Sequence, residues 1–196
     1  MFRNLFDKIA AAIGLMILSP LFLVVSLAIL FDSKGGVFFI QTRVGKDFHP
    51  FGLFKFRTMR PDTEKAGKLT IGSKDPRITG VGAILRKYKI DELPQLFNVL
   101  IGDMNLVGPR PEVPEYVAHY TPEQRKVLSV KPGITDYASL LYFNENEVLG
   151  QSPNPLETYL NEVMPAKLKL NLEYIENRSF AEDLKIIFKT IKRIFS

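Results

Sequence analysis

From Ile9 to Phe31 the chain is uncharged and apolar, with Ser19-Pro20 at the middle of the run. At helical rise about 23 residues cover roughly 35 Å, against a hydrocarbon core of roughly 30 Å. Proline removes a backbone donor and clashes with the preceding turn, so the pattern predicts a helix bent or broken at Pro20. Two arrangements fit. One is a single kinked span, since proline is tolerated in such helices. The other is a helix-break-helix that enters and leaves by the same face, with Ser19 bonding a carbonyl that Pro20 leaves without a partner. A secretory leader is the poorer fit, because the run is longer than a signal core and no small-x-small site follows Phe31.

Further on, the patterning shortens. Val37 to Ile40 and Phe51 to Phe56 are aromatic and β-branched runs around a turn at Gly45-Lys46-Asp47, which predicts a small hairpin. A Pro-, Gly-, Lys- and Asp-rich loop spans Pro61 to Pro76. Thr79 is placed to cap a helix from Gly80 to Lys89. A second helix is expected from Pro94, with Leu93, Leu96, Phe97, Leu100 and Ile101 as its apolar face and Gly102 as its end. Val107 to Pro111 reads as a stiff turn, and Lys131-Pro132-Gly133 as another. Helices are expected over Pro114 to His119, Thr121 to Leu128, and Glu157 to Ile175, the last with a break near Pro165. At the C-terminal end Phe180, Leu184, Ile187, Phe188, Ile191, Ile194 and Phe195 form one helical face, with Lys185, Lys189, Lys192 and Arg193 mostly off it. Such a helix suits either the plane of an anionic membrane surface or packing on a core. No repeat and no low-complexity linker divides the chain.

Charge narrows the partners. The net charge of +5 favours anionic partners: lipid headgroups, phosphates or nucleic acid. Both flanks of the apolar run are basic, with Arg3 and Lys8 before it and Lys34, Arg43 and Lys46 after it, so charge alone does not choose an orientation. No cysteine is present, which excludes disulfides, thiol catalysis and cysteine-based zinc sites, and the two histidines stand far apart.

Asp91-Glu92 is the focal pair. It sits just before a helix start, where backbone dipoles favour a carboxylate, and follows Arg86, Lys87 and Lys89. Nearby cations lower carboxylate pKa values, so at least one member is expected to be ionised. An ionised carboxylate is a nucleophile toward phosphorus or a ligand for a hard cation such as Mg2+; on spacing alone an ordinary helix cap is the plainer reading. Lys55 and Arg57 alternate with Phe54 and Phe56, which puts both cations on one face of a strand. Arg77 lies in Asp75-Pro76-Arg77, and Arg110 is fixed between Pro109 and Pro111. Rigid arginines suit bidentate contact with phosphate oxygens, although each alone reads equally as a solvated charge or an ion pair. Gly80 and Gly82 form no nucleotide-loop fingerprint.

Taken in order, Lys55-Phe56-Arg57-Thr58-Met59, Asp75-Pro76-Arg77-Ile78-Thr79, Ile90-Asp91-Glu92-Leu93-Pro94-Gln95-Leu96-Phe97-Asn98-Val99-Leu100, Gly102-Asp103-Met104, Val107-Gly108-Pro109-Arg110-Pro111 and Lys131-Pro132-Gly133-Ile134-Thr135 resemble the bacterial sugar transferase family, the small monotopic phosphoglycosyl transferases. The resemblance covers essentially the whole chain. It implies an α+β, mostly helical fold: a re-entrant membrane helix-break-helix over residues 1–34, broken at Ser19-Pro20, and a cytoplasmic catalytic domain over 35–196 with a small β-hairpin and amphipathic interfacial helices. It implies transfer of a sugar-1-phosphate from a nucleotide diphosphate sugar, usually a UDP-sugar, to polyprenol phosphate, with release of UMP. It places the protein at the cytoplasmic face of a bacterial inner membrane, both termini cytoplasmic, among anionic lipids and with no nucleic-acid partner. Asp91 is implied as the nucleophile and as a ligand for Mg2+. Glu92 orients the site or manages a proton. Lys55, Arg57, Arg77 and Arg110 bind phosphate oxygens or the donor, and Arg86 braces the membrane element or positions the carboxylates. The chain lacks the multi-span N-terminal extension of larger relatives and so resembles their minimal core. One stretch departs from the commoner pattern: after Thr135 the chain reads Asp136-Tyr137-Ala138-Ser139-Leu140, followed by the acidic Asn144-Glu145-Asn146-Glu147. Two other classes fit less well. A membrane-bound aspartyl phosphatase lacks its usual Asp-x-Asp, and a lipid-binding scaffold leaves the Asp-Glu and Arg motifs unexplained.

Overall fold

A computed structural model describes residues 2–61 and 75–194. The N-terminal run forms one helix, α1 (Phe2–Asp32), with Pro20 inside it. Helical structure continues where the sequence predicts a break, and the local chemistry explains how. The amide missing at Pro20 would have bonded the carbonyl of Met16; the Ser19 hydroxyl donates to that same carbonyl at 2.8 Å. By length and composition α1 can cross a membrane, and little of it is buried. Leu5, Ile9, Ile13, Met16, Ile17, Val24, Leu27 and Phe31 stay exposed.

The inner side of α1 is held along its whole length by one body. Near its start, Arg3 donates to Asp183 at 2.8 Å and to the carbonyl of Val107 at 3.2 Å. Ala11 packs with Leu53, Val99 and Met104, and Val25 and Ile29 pack with Phe56 and Leu85. At its end, Asp32 accepts from the amide of Val81 at 3.0 Å. The Arg57 guanidinium donates to the carbonyls of Ser33, at 2.8 Å, and of Lys34.

The hairpin forms as expected but longer, β1 (Phe38–Val44) against β2 (Pro50–Phe56), antiparallel with Phe38 opposite Phe56. Two short helices follow, α2 (Gly80–Lys87) and α3 (Gln95–Ile101). Thr79 caps α2 by accepting from Gly82 at 3.0 Å. Helix α2 stops two residues early because Lys89 adopts a left-handed conformation, φ 56°. The predicted loop from Pro61 to Pro76 lies mostly outside the described residues.

Asn98 locks α3 to the hairpin. Its side chain is fully buried, accepts from the amide of Phe54 at 3.0 Å and donates to the carbonyl of Gly52 at 2.7 Å. Beyond Gly102, which ends the helix at φ 101° as expected, β3 (Asn105–Val107) pairs in parallel with β4 (Gly133–Thr135). A Cβ on Gly133 would stand 2.0 Å from the amide of Gly108, so the two proline-rich turns approach closely only because glycine is there.

The rest is helical. Between β3 and β4 lies α4 (Pro114–Val117), and the helix expected from Thr121 is a 3-10 segment over Gln124–Ser129. Then come α5 (Tyr137–Leu141), α6 (Glu145–Gly150), α7 (Pro155–Thr158), a π-helical stretch over Tyr159–Val163, α8 (Met164–Asn177) and α9 (Phe180–Ile194). The predicted break near Pro165 is that π stretch, which stands just before Pro165 in the first turn of α8. On α9, Ile186 is fully buried against Val107 and Tyr174, whereas Phe188 is 70% exposed and Leu184 and Ile191 are exposed beside it.

Candidate active site

The hairpin, the turn that carries Arg110, strand β4 and helices α2, α3, α5, α6, α8 and α9 line a cavity of about 350 Å³. Its lining includes seven cationic side chains (Arg43, Lys55, Arg86, Lys89, Arg110, Lys167, Arg193) against four carboxylates (Asp91, Glu92, Glu112, Glu145), an excess of three positive charges. That balance suits a polyanion.

Asp91 and Glu92 fall on a single 3-10 turn, Ile90–Glu92, between the left-handed Lys89 and Pro94, which leads into α3. They meet opposite surroundings. Glu92 is clamped: Lys55 donates to it at 3.0 Å, and the Arg110 guanidinium grips both its oxygens, one at 3.1 Å. Burial opposes ionisation of Glu92, but Arg110 and Lys55 outweigh it and hold its carboxyl well below the usual range. Asp91 is 7% exposed, and its Oδ1 is buried with no hydrogen-bond partner among the described residues. Burial pushes its pKa up, the Glu92 charge pushes the same way, and Lys55, Arg86 and Lys89 only partly offset both. One member of the pair is therefore firmly ionised, as the sequence suggests, and it is Glu92; the cations pull the Asp91 pKa down as well, but burial and the neighbouring Glu92 charge outweigh them.

The predicted cations divide. Lys55, Arg86 and Arg110 line the cavity; Arg86 also donates from Nε to the Thr58 hydroxyl at 2.8 Å. Arg57 does not. Strand β2 ends at Phe56, so the alternation that would carry Arg57 alongside Lys55 stops one residue short, and its buried guanidinium turns to the end of α1 instead. Arg77 is likewise outside the lining and grips Asp75 with Nε at 2.9 Å and Nη2 at 2.6 Å. Ser19 and Pro20 lie on α1, away from the cavity.

Sequence reasoning missed a second polar cluster at the cavity. Arg43 donates to Glu112 at 2.9 Å, Tyr159 donates its hydroxyl to Glu112, and Lys167 pairs with Glu145. Asp136, in the stretch that departs from the family pattern, is fully buried. It caps α5 through the amide of Ser139 and accepts from the amide of Arg110 at 3.2 Å, so it ties the Arg110 turn to the helix that supplies Ser139 and Leu140 to the lining.

Mg2+, which the resemblance implies, can be held against this donor set. Among the described residues no three acidic or histidine side chains converge. Mg2+ is commonly held by one or two carboxylates together with substrate phosphates and water, and the unpartnered Asp91 oxygen fits that role.

Comparison with known proteins adds a relationship to this geometry. A family model described as bacterial sugar transferase matches residues 1–196. The chain is 37% identical over 97% of its length to a UDP-N-acetylgalactosamine-undecaprenyl-phosphate N-acetylgalactosaminephosphotransferase of Aeromonas hydrophila, of which it covers 43%. It is 40% identical over 99% of its length to an undecaprenyl-phosphate glucose phosphotransferase of Komagataeibacter xylinus, of which it covers 36%. It is 37% identical over 98% of its length to the uncharacterized sugar transferase EpsL of Bacillus subtilis (strain 168), of which it covers 86%. The chain thus spans less than half of the first two relatives and most of the third.

Proposed function

The chain belongs to the bacterial sugar transferase family, and on that premise we propose that it moves a sugar-1-phosphate from a nucleotide diphosphate sugar, a UDP-sugar by preference, to polyprenol phosphate. The observation that carries this reading is the buried, unpartnered oxygen of Asp91 in a cavity with excess positive charge. An Asp91 oxygen attacks the sugar-linked phosphorus, the phosphoanhydride bond breaks, and UMP leaves with the bonding electrons. A phosphate oxygen of the lipid then attacks the same phosphorus, breaks its bond to Asp91 and forms polyprenol-diphosphate sugar. Two steps suit a soluble donor and a lipid acceptor that need not be held together.

Glu92 does not compete as nucleophile, because Lys55 and Arg110 engage both its oxygens. It holds those two cations in place for the donor's phosphates. The Arg86 charge favours the ionised form of Asp91. Asp91 would hold Mg2+, which when bound would supply neutralisation of the charge on the departing phosphate. The test is to offer the membrane-embedded protein Mg2+, polyprenol phosphate and a panel of nucleotide sugars while measuring UMP. Release that needs one donor supports the reading; no release from any donor defeats it.

Residues 1–34 then serve as the membrane element and the remainder as the catalytic domain on the cytoplasmic face. Support comes from the attachments of α1, whose two ends bind the same body through Arg3 and through Asp32. A helix leaving that body for the far side of a bilayer could not keep both. Single cysteines introduced at Lys8 and Lys46 should label from one side of the membrane, and labelling from opposite sides would contradict the arrangement.

A further inference from the structure

One part of the cavity takes no role in the scheme above. Lys89 and Arg193 both stand over the ring of Phe143, Nζ at 5.0 Å and Cζ at 5.1 Å from its centroid. All three side chains line the cavity that holds Asp91. They come from three separate elements: the left-handed residue two positions before Asp91, the connection between α5 and α6, and the last turn of α9. A ring quadrupole attracts each cation, but two positive charges gathered on one ring repel each other. Lys89 holds a backbone conformation that a non-glycine residue adopts at a cost, and such strain gathers where a side chain must be aimed.

Helix α9 carries both the arginine of this corner and an exposed apolar face. Its inner face is fixed by fully buried Ile186 and by a 2.7 Å hydrogen bond between Thr190 and Thr135. Its outer face exposes Leu184, Phe188 and Ile191. Thr190 and Arg193 reach the cavity from the same helix.

We propose that Lys89, Phe143 and Arg193 form a subsite of this cavity for a phosphate monoester. An arginine fork and a lysine point charge match a dianion with three terminal oxygens better than a singly charged diester. The proposal rests on the transfer reaction proposed above, in which two monoesters appear. In-line displacement at the sugar-linked phosphorus puts the departing UMP phosphate opposite Asp91, and the attacking lipid phosphate must enter from that same side. One subsite therefore serves twice, and a cation carried on a lipid-facing helix is placed to receive a phosphate presented from the membrane.

The test uses the full chain in anionic nanodiscs. Binding of UMP is measured at equilibrium, and the KM for polyprenol phosphate is measured separately, for wild type, Arg193→Gln, Arg193→Lys and Lys89→Asn; asparagine tolerates the left-handed backbone. Loss of either charge should weaken UMP binding about tenfold and raise the acceptor KM about tenfold, and Arg193→Lys should recover most of both. Weakening of UMP alone assigns the subsite to the departing nucleotide, and weakening of the acceptor alone assigns it to the lipid; either one overturns the double use. Both quantities within about twofold of wild type in both charge-removing variants overturns the subsite itself. So does a parallel loss of vesicle flotation and melting temperature that Arg193→Lys fails to rescue, because it reports a detached helix. A protein that binds UMP through these residues yet transfers no sugar phosphate defeats the reaction and leaves the subsite standing.

Discussion

The cavity has one wall that shares its carboxylates between partners and one that keeps a carboxylate oxygen open. On the first, Glu92 is shared between Lys55 and Arg110, and farther along Glu112 is shared between Arg43 and Tyr159. On the second, Asp91 keeps an oxygen without a partner, and Lys89 and Arg193 converge on Phe143. Adjacent residues of one motif thus divide the work. The compensated wall holds the turns together, and the wall with the open Asp91 oxygen keeps binding capacity for a substrate, at a cost to the stability of the empty protein.

Four substitutions press on that division. The largest effect is expected from Asp91→Asn: UMP release should fall by at least about 10⁴-fold, the scale on which loss of a nucleophile acts. Folding raises the Asp91 pKa, so its ionised form costs stability at neutral pH, and the same variant should melt at a higher temperature than wild type. A lower melting temperature would place Asp91 on the compensated wall.

Glu92→Gln should act in the opposite sense. It leaves Lys55 and Arg110 buried without their anion, and denaturant unfolding should show a loss of roughly 3 kcal/mol. The folded pKa of Glu92 is depressed, so its contribution is present above the ordinary glutamate range and disappears as pH falls through the depressed value. The difference between wild type and variant should therefore shrink on acidification, and a difference that grows would contradict the ion-pair assignment.

Arg86→Gln removes a cation that lowers the Asp91 pKa. The acid limb of the UMP-release profile should move to higher pH, and the rate at neutral pH should drop about tenfold; a limb that stays in place would separate Arg86 from the nucleophile. Smallest in its effect on chemistry is Arg57→Met. It should lower the melting temperature by loosening the end of α1 while the donor KM moves by no more than about twofold. A large rise in donor KM would return Arg57 to the cavity.

The sequence was legible where a local pattern decided the structure. Aromatic and β-branched runs around a turn predicted the hairpin, Thr79 and Gly102 marked helix ends, and the Asp91-Glu92 run pointed to the candidate site. It was opaque where distant residues decided it. Nothing near Arg43 announces Glu112, and nothing near Glu112 announces Tyr159; only the fold brings them to one cavity. The parallel pairing of β3 with β4 is three residues long on each side, too short for a periodic signal. Arg57 was misplaced because alternation was extended past the end of its strand. Asp136 was noticed as a departure, but its role as a buried cap joined to the Arg110 turn needed the structure.

The central claim is that Asp91 forms a bond to phosphorus. The direct measurement is mass spectrometry of the protein mixed with its nucleotide sugar and Mg2+ in the absence of acceptor, then quenched and digested. The account predicts a phosphosugar on the peptide that contains Asp91, lost in Asp91→Asn and discharged when polyprenol phosphate is added. UMP formed with no adduct, or an adduct on any other residue, would contradict it.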